Sequence, residues 1–245
     1  WYYAPEHGWI YTPEASGTYL YGLTAERWVD FSFSGILRKG TKEAPMRVLS
    51  VGDSITYWTG SYRIPLQQHM TEDGFIFDFV GTQNDASPAP YDGDHEGYSG
   101  KRVNQVYWTM FGNPNAWGGP SSGNQIVQET QPDLILIMLG TNDLRQGHWP
   151  YEEAPGAIDV IGFYRSMLLD MAEAAPRARI VVCGLARNLA GDMDDGEPIA
   201  ERIQPFNTAL ANLVTELAED FVLVTYVDCY DALQPEHIRD GLHPT

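Results

Sequence analysis

The sequence predicts an α/β protein: a three-layer, doubly wound sheet of five parallel strands behind an aromatic-rich N-terminal extension. Two observations carry that expectation. From Met46 onward, short apolar runs alternate with stretches of helical period, the pattern of strand and helix units in a parallel sheet. The length of 245 residues suits one such domain with a full core and leaves little room for a second complete one.

Taken in order, residues 1–45 form the extension and 46–245 the main domain. The extension is crowded with Trp, Tyr and Gly up to about residue 35. Gly8-Trp9-Ile10-Tyr11 and Thr18-Tyr19-Leu20-Tyr21, separated by Pro13-Glu14-Ala15-Ser16-Gly17, read as a small β-hairpin. Its aromatics are expected to pack the extension onto the main domain, with stacking on sugar rings as the competing use. Strand one is Met46 to Val51, an amphipathic stretch follows around Pro65 to Met70, and strand two is Phe75 to Val80. Gln83 to Gly123 is a long irregular stretch rich in Gly, Pro and Asp, and long loops inside compact domains are usually functional. Strand three is Asp133 to Leu139, strand four Ala178 to Leu185 and strand five Phe221 to Asp228, with helices over 158–174 and 199–219. In the first of these helices Ile161, Tyr164, Leu168, Met171 and Ala175 recur at helical spacing.

Composition narrows the function classes. Hydrophobic residues make up 43% and charged residues 20%, ordinary for a folded domain. Fifteen basic against 33 acidic residues give a formal charge of −18, which repels phosphate backbones and anionic membranes and favours a neutral substrate. Neither nucleic acid nor a membrane is an expected partner. The longest apolar run, Leu134 to Leu139, is far too short to span a bilayer. Cys183 and Cys229 have neither metal-ligand spacing nor a disulfide framework. The chain begins at Trp1 without a signal-peptide pattern, compatible with a processed, secreted protein, and an extracellular location is the expectation. Oligomeric state is not specified by any of these features.

In doubly wound sheets, ligands bind beyond the carboxyl ends of the strands. Strand one delivers Gly52-Asp53-Ser54-Ile55-Thr56 to that edge, strand three delivers Gly140-Thr141-Asn142-Asp143, and strand five leads to Asp240-Gly241-Leu242-His243-Pro244. A serine on a sharp turn leaving a parallel strand projects its hydroxyl at the site edge, so Ser54 is the candidate nucleophile; helix capping is the competing reading. An unactivated serine needs a base and a group that fixes the base's tautomer. His243 and Asp240, three residues apart on one turn, meet that need, although a plain surface turn fits the same residues.

Together these three blocks resemble the SGNH/GDSL hydrolases in order and spacing, from about Met46 to the end. The resemblance implies a flavodoxin-like SGNH hydrolase fold. It also implies an oxyanion hole made by the backbone N–H of Ser54, the backbone N–H of a glycine and the side chain of Asn142. Gly100, just before a helix expected from Lys101, is the chosen glycine, with Gly97 as the alternative. The segment Asp94-His95-Glu96-Gly97-Tyr98-Ser99-Gly100 is similar to one in carbohydrate esterase family 3, whose members remove acetyl groups from xylan. The implied activity is hydrolysis of acyl esters, acetyl first, on a polysaccharide or oligosaccharide, through an acyl-enzyme and without a cofactor. Asp53, Tyr57, Trp58, Tyr98 and Trp149 are the candidates for contacting substrate. A metal site on Asp92, Asp94, His95 and Glu96 is the competing use of that segment, but no second cluster completes it and serine hydrolysis needs no metal. Gly119-Pro120-Ser121-Ser122-Gly123 also matches the Gly-x-Ser-x-Gly elbow, yet lacks the strand that must precede it. The family usually carries a further helix after the His-Pro turn, and this sequence stops at Thr245. The other functions compatible with the sequence are a lipolytic GDSL esterase or lysophospholipase and a non-catalytic carbohydrate-binding protein on the same scaffold.

Overall fold

A computed structural model describes residues 39–59, 61–85, 87–112, 125–147, 158–187, 199–219, 222–232 and His243, together with the backbone of four short N-terminal strands. Those strands form two antiparallel pairs: β1 (Tyr2–Ala4) with β2 (Gly8–Ile10), and β3 (Thr18–Gly22) with β4 (Arg27–Phe31). The single hairpin expected between residues 8–11 and 18–21 is therefore corrected. Each run pairs with a neighbour three residues (5–7) or four residues (23–26) away, because short connections close hairpins more readily than the seven residues at 11–17.

The main sheet is built around β5 (Met46–Gly52), followed by α1 (Ser54–Tyr57) and α2 (Arg63–Glu72). Next come β6 (Phe77–Val80), β7 (Gln83–Asn84), β8 (Asp94–Gly97), α3 (Val103–Phe111) and α4 (Ile126–Thr130). The chain continues through β9 (Leu134–Met138), α5 (Thr141–Arg145), α6 (Val160–Ala174), β10 (Arg179–Cys183), α7 (Ile199–Glu219) and β11 (Val224–Val227).

Beside β5 lie β9, β10 and β11 in that order, all parallel. On its other edge β5 has two partners in succession. Its first half pairs β6, from Met46 with Phe77 to Leu49 with Val80, and its last residues, Val51 and Gly52, pair Glu96 and Gly97 of β8. β7 then adds antiparallel to β8. The five expected parallel strands are all present, but the sheet has seven strands among the described residues, not five. The stretch read as irregular supplies β7, β8 and α3. Asp94-His95-Glu96-Gly97 has no apolar periodicity to announce a strand; it is held by pairing with β5 and β7 rather than by an apolar pattern.

Side-chain alternation along the strands sorts the core into two layers. Ile135 and Ile137 of β9 join Leu49, Val51, Ile180 and Val182 against α3, α4, α6 and α7. Leu134 and Leu136 join Met46, Val48, Val181 and Val227 against Leu66 and Met70 of α2 on the opposite face. Each fully buried aliphatic side chain contributes on the order of 1.5–3 kcal/mol relative to exposure. That burial fixes the register, so the carboxyl ends of β5, β8 and β9 stand side by side. Among the described residues, no helix is long and apolar enough to cross a membrane.

Candidate active site

β5 ends at Gly52, and Asp53 turns the chain into α1. The Asp53 carboxylate accepts from the Ile55 amide at 3.0 Å, while its carbonyl accepts from Thr56 at 3.2 Å and Tyr57 at 2.9 Å. This N-cap fixes the first residue of α1, Ser54, at the sheet edge, where its own N–H has no intrahelical acceptor. Ser54 is 8% exposed. Its Oγ lies 2.9 Å from Nε2 of His243, a residue 189 positions further along the chain. The Trp58 ring stands 6.1 Å from the same imidazole, and Tyr57 packs edge-on to Trp58 at 6.3 Å. Trp58 is 46% and Tyr57 41% exposed, the most open large apolar side chains near the serine.

From the adjacent strand end, β9 turns at Gly140, whose φ of +127° admits no other residue without strain, into α5. There Asn142 donates through Nδ2 to the Lys101 carbonyl at 2.9 Å, and Asp143 accepts from the Val103 amide at 3.0 Å. The third edge segment follows β8. The Tyr98 amide donates to the Gly52 carbonyl at 2.9 Å, and Lys101 closes a turn onto the Tyr98 carbonyl at 3.1 Å. Gly100 sits in that turn at φ +74°, exposed, with no atom of the described residues within 4 Å of where a Cβ would stand. The Gly97 amide, by contrast, already donates to Nδ1 of His95 at 2.8 Å.

Burial controls the charges around these turns. It pushes the Asp53 carboxyl up from 3.8 to about 6, against the opposing Ile55 amide and His243. It pushes Asp143 up to about 7, opposed by the Val103 amide and Arg102 and assisted by the negative charge of Asp53. His95 is driven down to about 4 by burial and then by the Arg63 guanidinium, so at neutral pH it is an uncharged acceptor for the Gly97 amide. Glu96 is raised by burial; it accepts from the Tyr98 hydroxyl and the Thr82 amide, and the Tyr98 phenol is raised in turn by burial and by Glu96.

The structure brings Ser54, His243, Asn142 and the Gly100 turn to one edge. Asp53 is corrected: expected at the substrate, it is 1% exposed and caps α1 beneath the serine. Tyr98 is half-buried with its hydroxyl turned to Glu96. Asp240, Trp149 and the 119–123 segment lie outside the described residues. Asp92, Asp94 and Glu96 all accept hydrogen bonds from protein groups, and no three His, Cys, Asp or Glu side chains gather to hold a metal ion among the described residues. Cys183 and Cys229 are free thiols.

Sequence reasoning gave no part to the supports beneath the site. Arg63, 1% exposed, donates to the Thr56 carbonyl at 2.8 Å and the Gly93 carbonyl at 3.4 Å, and pairs with Asp85 at 2.7 Å. It thereby ties the end of α1 to the β7–β8 region. No pattern in the α2 sequence marks this arginine as inward-facing.

A serine hydroxyl bonded to an imidazole at the carboxyl edge of a parallel sheet is the arrangement of hydrolases that work through serine. The chain belongs to the GDSL-like lipase/acylhydrolase family, whose model matches residues 50–245. Two solved structures are similar over 82% of this chain and 88% of theirs. One, of an acetyl esterase mutant with acetate ion, is 29% identical with a TM-score of 0.60. The other, a carbohydrate esterase family 3 protein from Talaromyces cellulolyticus, is 30% identical with a TM-score of 0.61. A multidomain esterase from Ruminococcus flavefaciens is 30% identical in a 123-residue match that covers 45% of this chain and 16% of that protein.

Proposed function

We propose that this chain removes acetyl groups from a neutral polysaccharide or oligosaccharide through an acyl-enzyme on Ser54. The 2.9 Å pairing of Ser54 Oγ with His243 Nε2 carries the reading. Ser54 Oγ attacks the ester carbonyl carbon as His243 takes its proton, and the carbonyl π electrons move onto oxygen. The Ser54 and Gly100 amides and the Asn142 side chain receive that oxyanion. Asn142 has two Nδ2 hydrogens, and its bond to Lys101 uses one. Gly97 is set aside because its amide is engaged by His95. Collapse breaks the bond to the sugar oxygen, which leaves with the proton from His243. Water then attacks the acyl carbon as His243 takes its proton, the bond to Ser54 Oγ breaks to release the acetyl group as acetate, and His243 returns the proton to Ser54 Oγ. Asp240 is assigned to orient the imidazole.

Two observations favour a sugar ester. Trp58 and Tyr57 give the mouth an exposed aromatic surface suited to a sugar ring face, and the similar acetyl esterase and family 3 proteins are named for that chemistry. The net charge of −18 favours a substrate without its own negative charge. Acetate release from acetylated xylo-oligosaccharides, compared with hydrolysis of p-nitrophenyl esters of increasing acyl length, tests the substrate. Fast acetate release with rates falling as the acyl chain grows is expected; rates rising with chain length and no acetate from the sugar would make the enzyme lipolytic instead.

A further inference from the structure

Asn142 and Asp143 are consecutive on α5, and both reach the same short piece of backbone. Asn142 Nδ2 holds the Lys101 carbonyl at 2.9 Å and Asp143 Oδ2 holds the Val103 amide at 3.0 Å. Val103 is the first residue of α3, where amides lack acceptors within the helix. The Arg102 amide is met by Gln105 Oε1 at 3.1 Å. An arginine at the cap position supplies no acceptor of its own, so a carboxylate from another element caps the helix. The turn these grips anchor contains Gly100.

Asp143 is a costly residue for that task if packing were all it did. It is 0% exposed, and its second oxygen, Oδ1, has no hydrogen-bond partner among the described residues. Its charged neighbours are Arg102 and Asp53, and Asp53 caps α1 just before Ser54 as Asp143 caps α3 just after Gly100. Two buried carboxyls thus hold the two turns that carry Ser54 and Gly100, the two backbone donors assigned to the oxyanion. The upward displacement of both carboxyls is consistent with fewer than two negative charges between them near neutrality.

We propose that Asp143 is a positioning residue for the reaction: by capping α3 through the Val103 amide, it sets the Gly100 turn where its N–H meets the oxyanion. This rests on the acyl-transfer reading of Ser54. It assigns Asp143 no contact with substrate and no proton transfer.

The test uses p-nitrophenyl acetate, with active sites counted by the burst of p-nitrophenol so that kcat refers to functional enzyme only. Asp143→Ala is expected to lower kcat about 10- to 100-fold, somewhat less than outright loss of an oxyanion donor, with KM within about threefold of wild type. Asp143→Asn keeps an oxygen for Val103 and is expected to restore kcat to within about fivefold of wild type. Val103→Pro approaches the same bond from the other side. Proline is tolerated at the first helical position, and Arg102 before it is already extended at φ −91°, ψ 167°, so the change removes the donor while leaving Asp143 in place. It should reproduce the loss in kcat even if Asp143→Ala does not fold. Wild-type kcat per active site in Asp143→Ala or Val103→Pro overturns the proposal, as does an Asp143→Asn enzyme no better than Asp143→Ala. Full activity in Ser54→Ala, run alongside, removes the nucleophile and the proposal with it, and is recognisable as the failure of that earlier reading.

Discussion

Ser54 and His243 are 189 positions apart, yet Oγ of one lies 2.9 Å from Nε2 of the other, and two buried carboxyls, Asp53 and Asp143, cap the helices α1 and α3 beside them. Asp53 and Asp143 are kept near the site at an electrostatic cost, visible in carboxyls pushed up to about 6 and about 7. For Asp143 the sign of the consequence is definite. Between the unfolded value near 3.8 and the folded value near 7, the unfolded chain gives up a proton that the folded chain keeps. The unfolded state therefore binds fewer protons, and stability falls as pH rises through that window. Asparagine has no such linkage. Asp143→Asn should gain stability relative to wild type as pH goes from about 5 to about 8, read as the difference between urea midpoints of the two proteins. A difference that stays constant across that range would place the cost of Asp143 elsewhere.

At the scale of elements, the site is three loop segments tied together from below, and Arg63 is the deepest tie. From α2 it grips the end of α1 through the Thr56 carbonyl and the loop before β8 through Gly93 and Asp85. Burial alone would raise Asp85, but Ser87 and the guanidinium outweigh it and hold the carboxyl below 3.8. Removing one partner of such a pair leaves the other charge uncompensated, so Arg63→Met is expected to cost about 3–5 kcal/mol near neutral pH. The loss should shrink as the pH is lowered and Asp85 takes up a proton; equal losses at neutral and acid pH would argue that packing, not charge, is what Arg63 supplies. These supports also mark the limit of what the sequence disclosed. The strands with apolar runs were legible because burial on both sheet faces writes itself into composition, and Ser54, Asn142 and His243 were legible because they follow such strands. β8 was not, since Asp94-His95-Glu96-Gly97 is polar and is stabilised by partners far along the chain. Asp53 was misplaced for a related reason: a carboxylate beside the nucleophile reads equally well as a substrate contact or a cap, and burial decides between them.

The whole molecule adds a field. A charge of −18 surrounds a site whose mouth is aromatic, so substrate charge should matter more than substrate size in the encounter. Raising salt from about 0.01 to about 0.1 M shortens the screening length from about 30 to about 10 Å. Over that range kcat/KM for p-nitrophenyl acetate should change less than about twofold, whereas an acyl ester carrying a free carboxylate should be cleaved several-fold faster at the higher salt. Identical salt responses for the two esters would mean that the mouth is shielded from the protein's net charge. The parallel sheet places Ser54 against His243, with the exposed rings of Trp58 and Tyr57 beside them.

The central claim is that Ser54 becomes acylated. Rapid quenching during turnover of p-nitrophenyl acetate, followed by digestion and mass spectrometry, reads it directly. The account predicts an acetyl group on the peptide containing Ser54 in the wild-type protein, and neither acetyl-enzyme nor turnover in Ser54→Ala. An acetyl group on another residue, or undiminished turnover by Ser54→Ala, would contradict it.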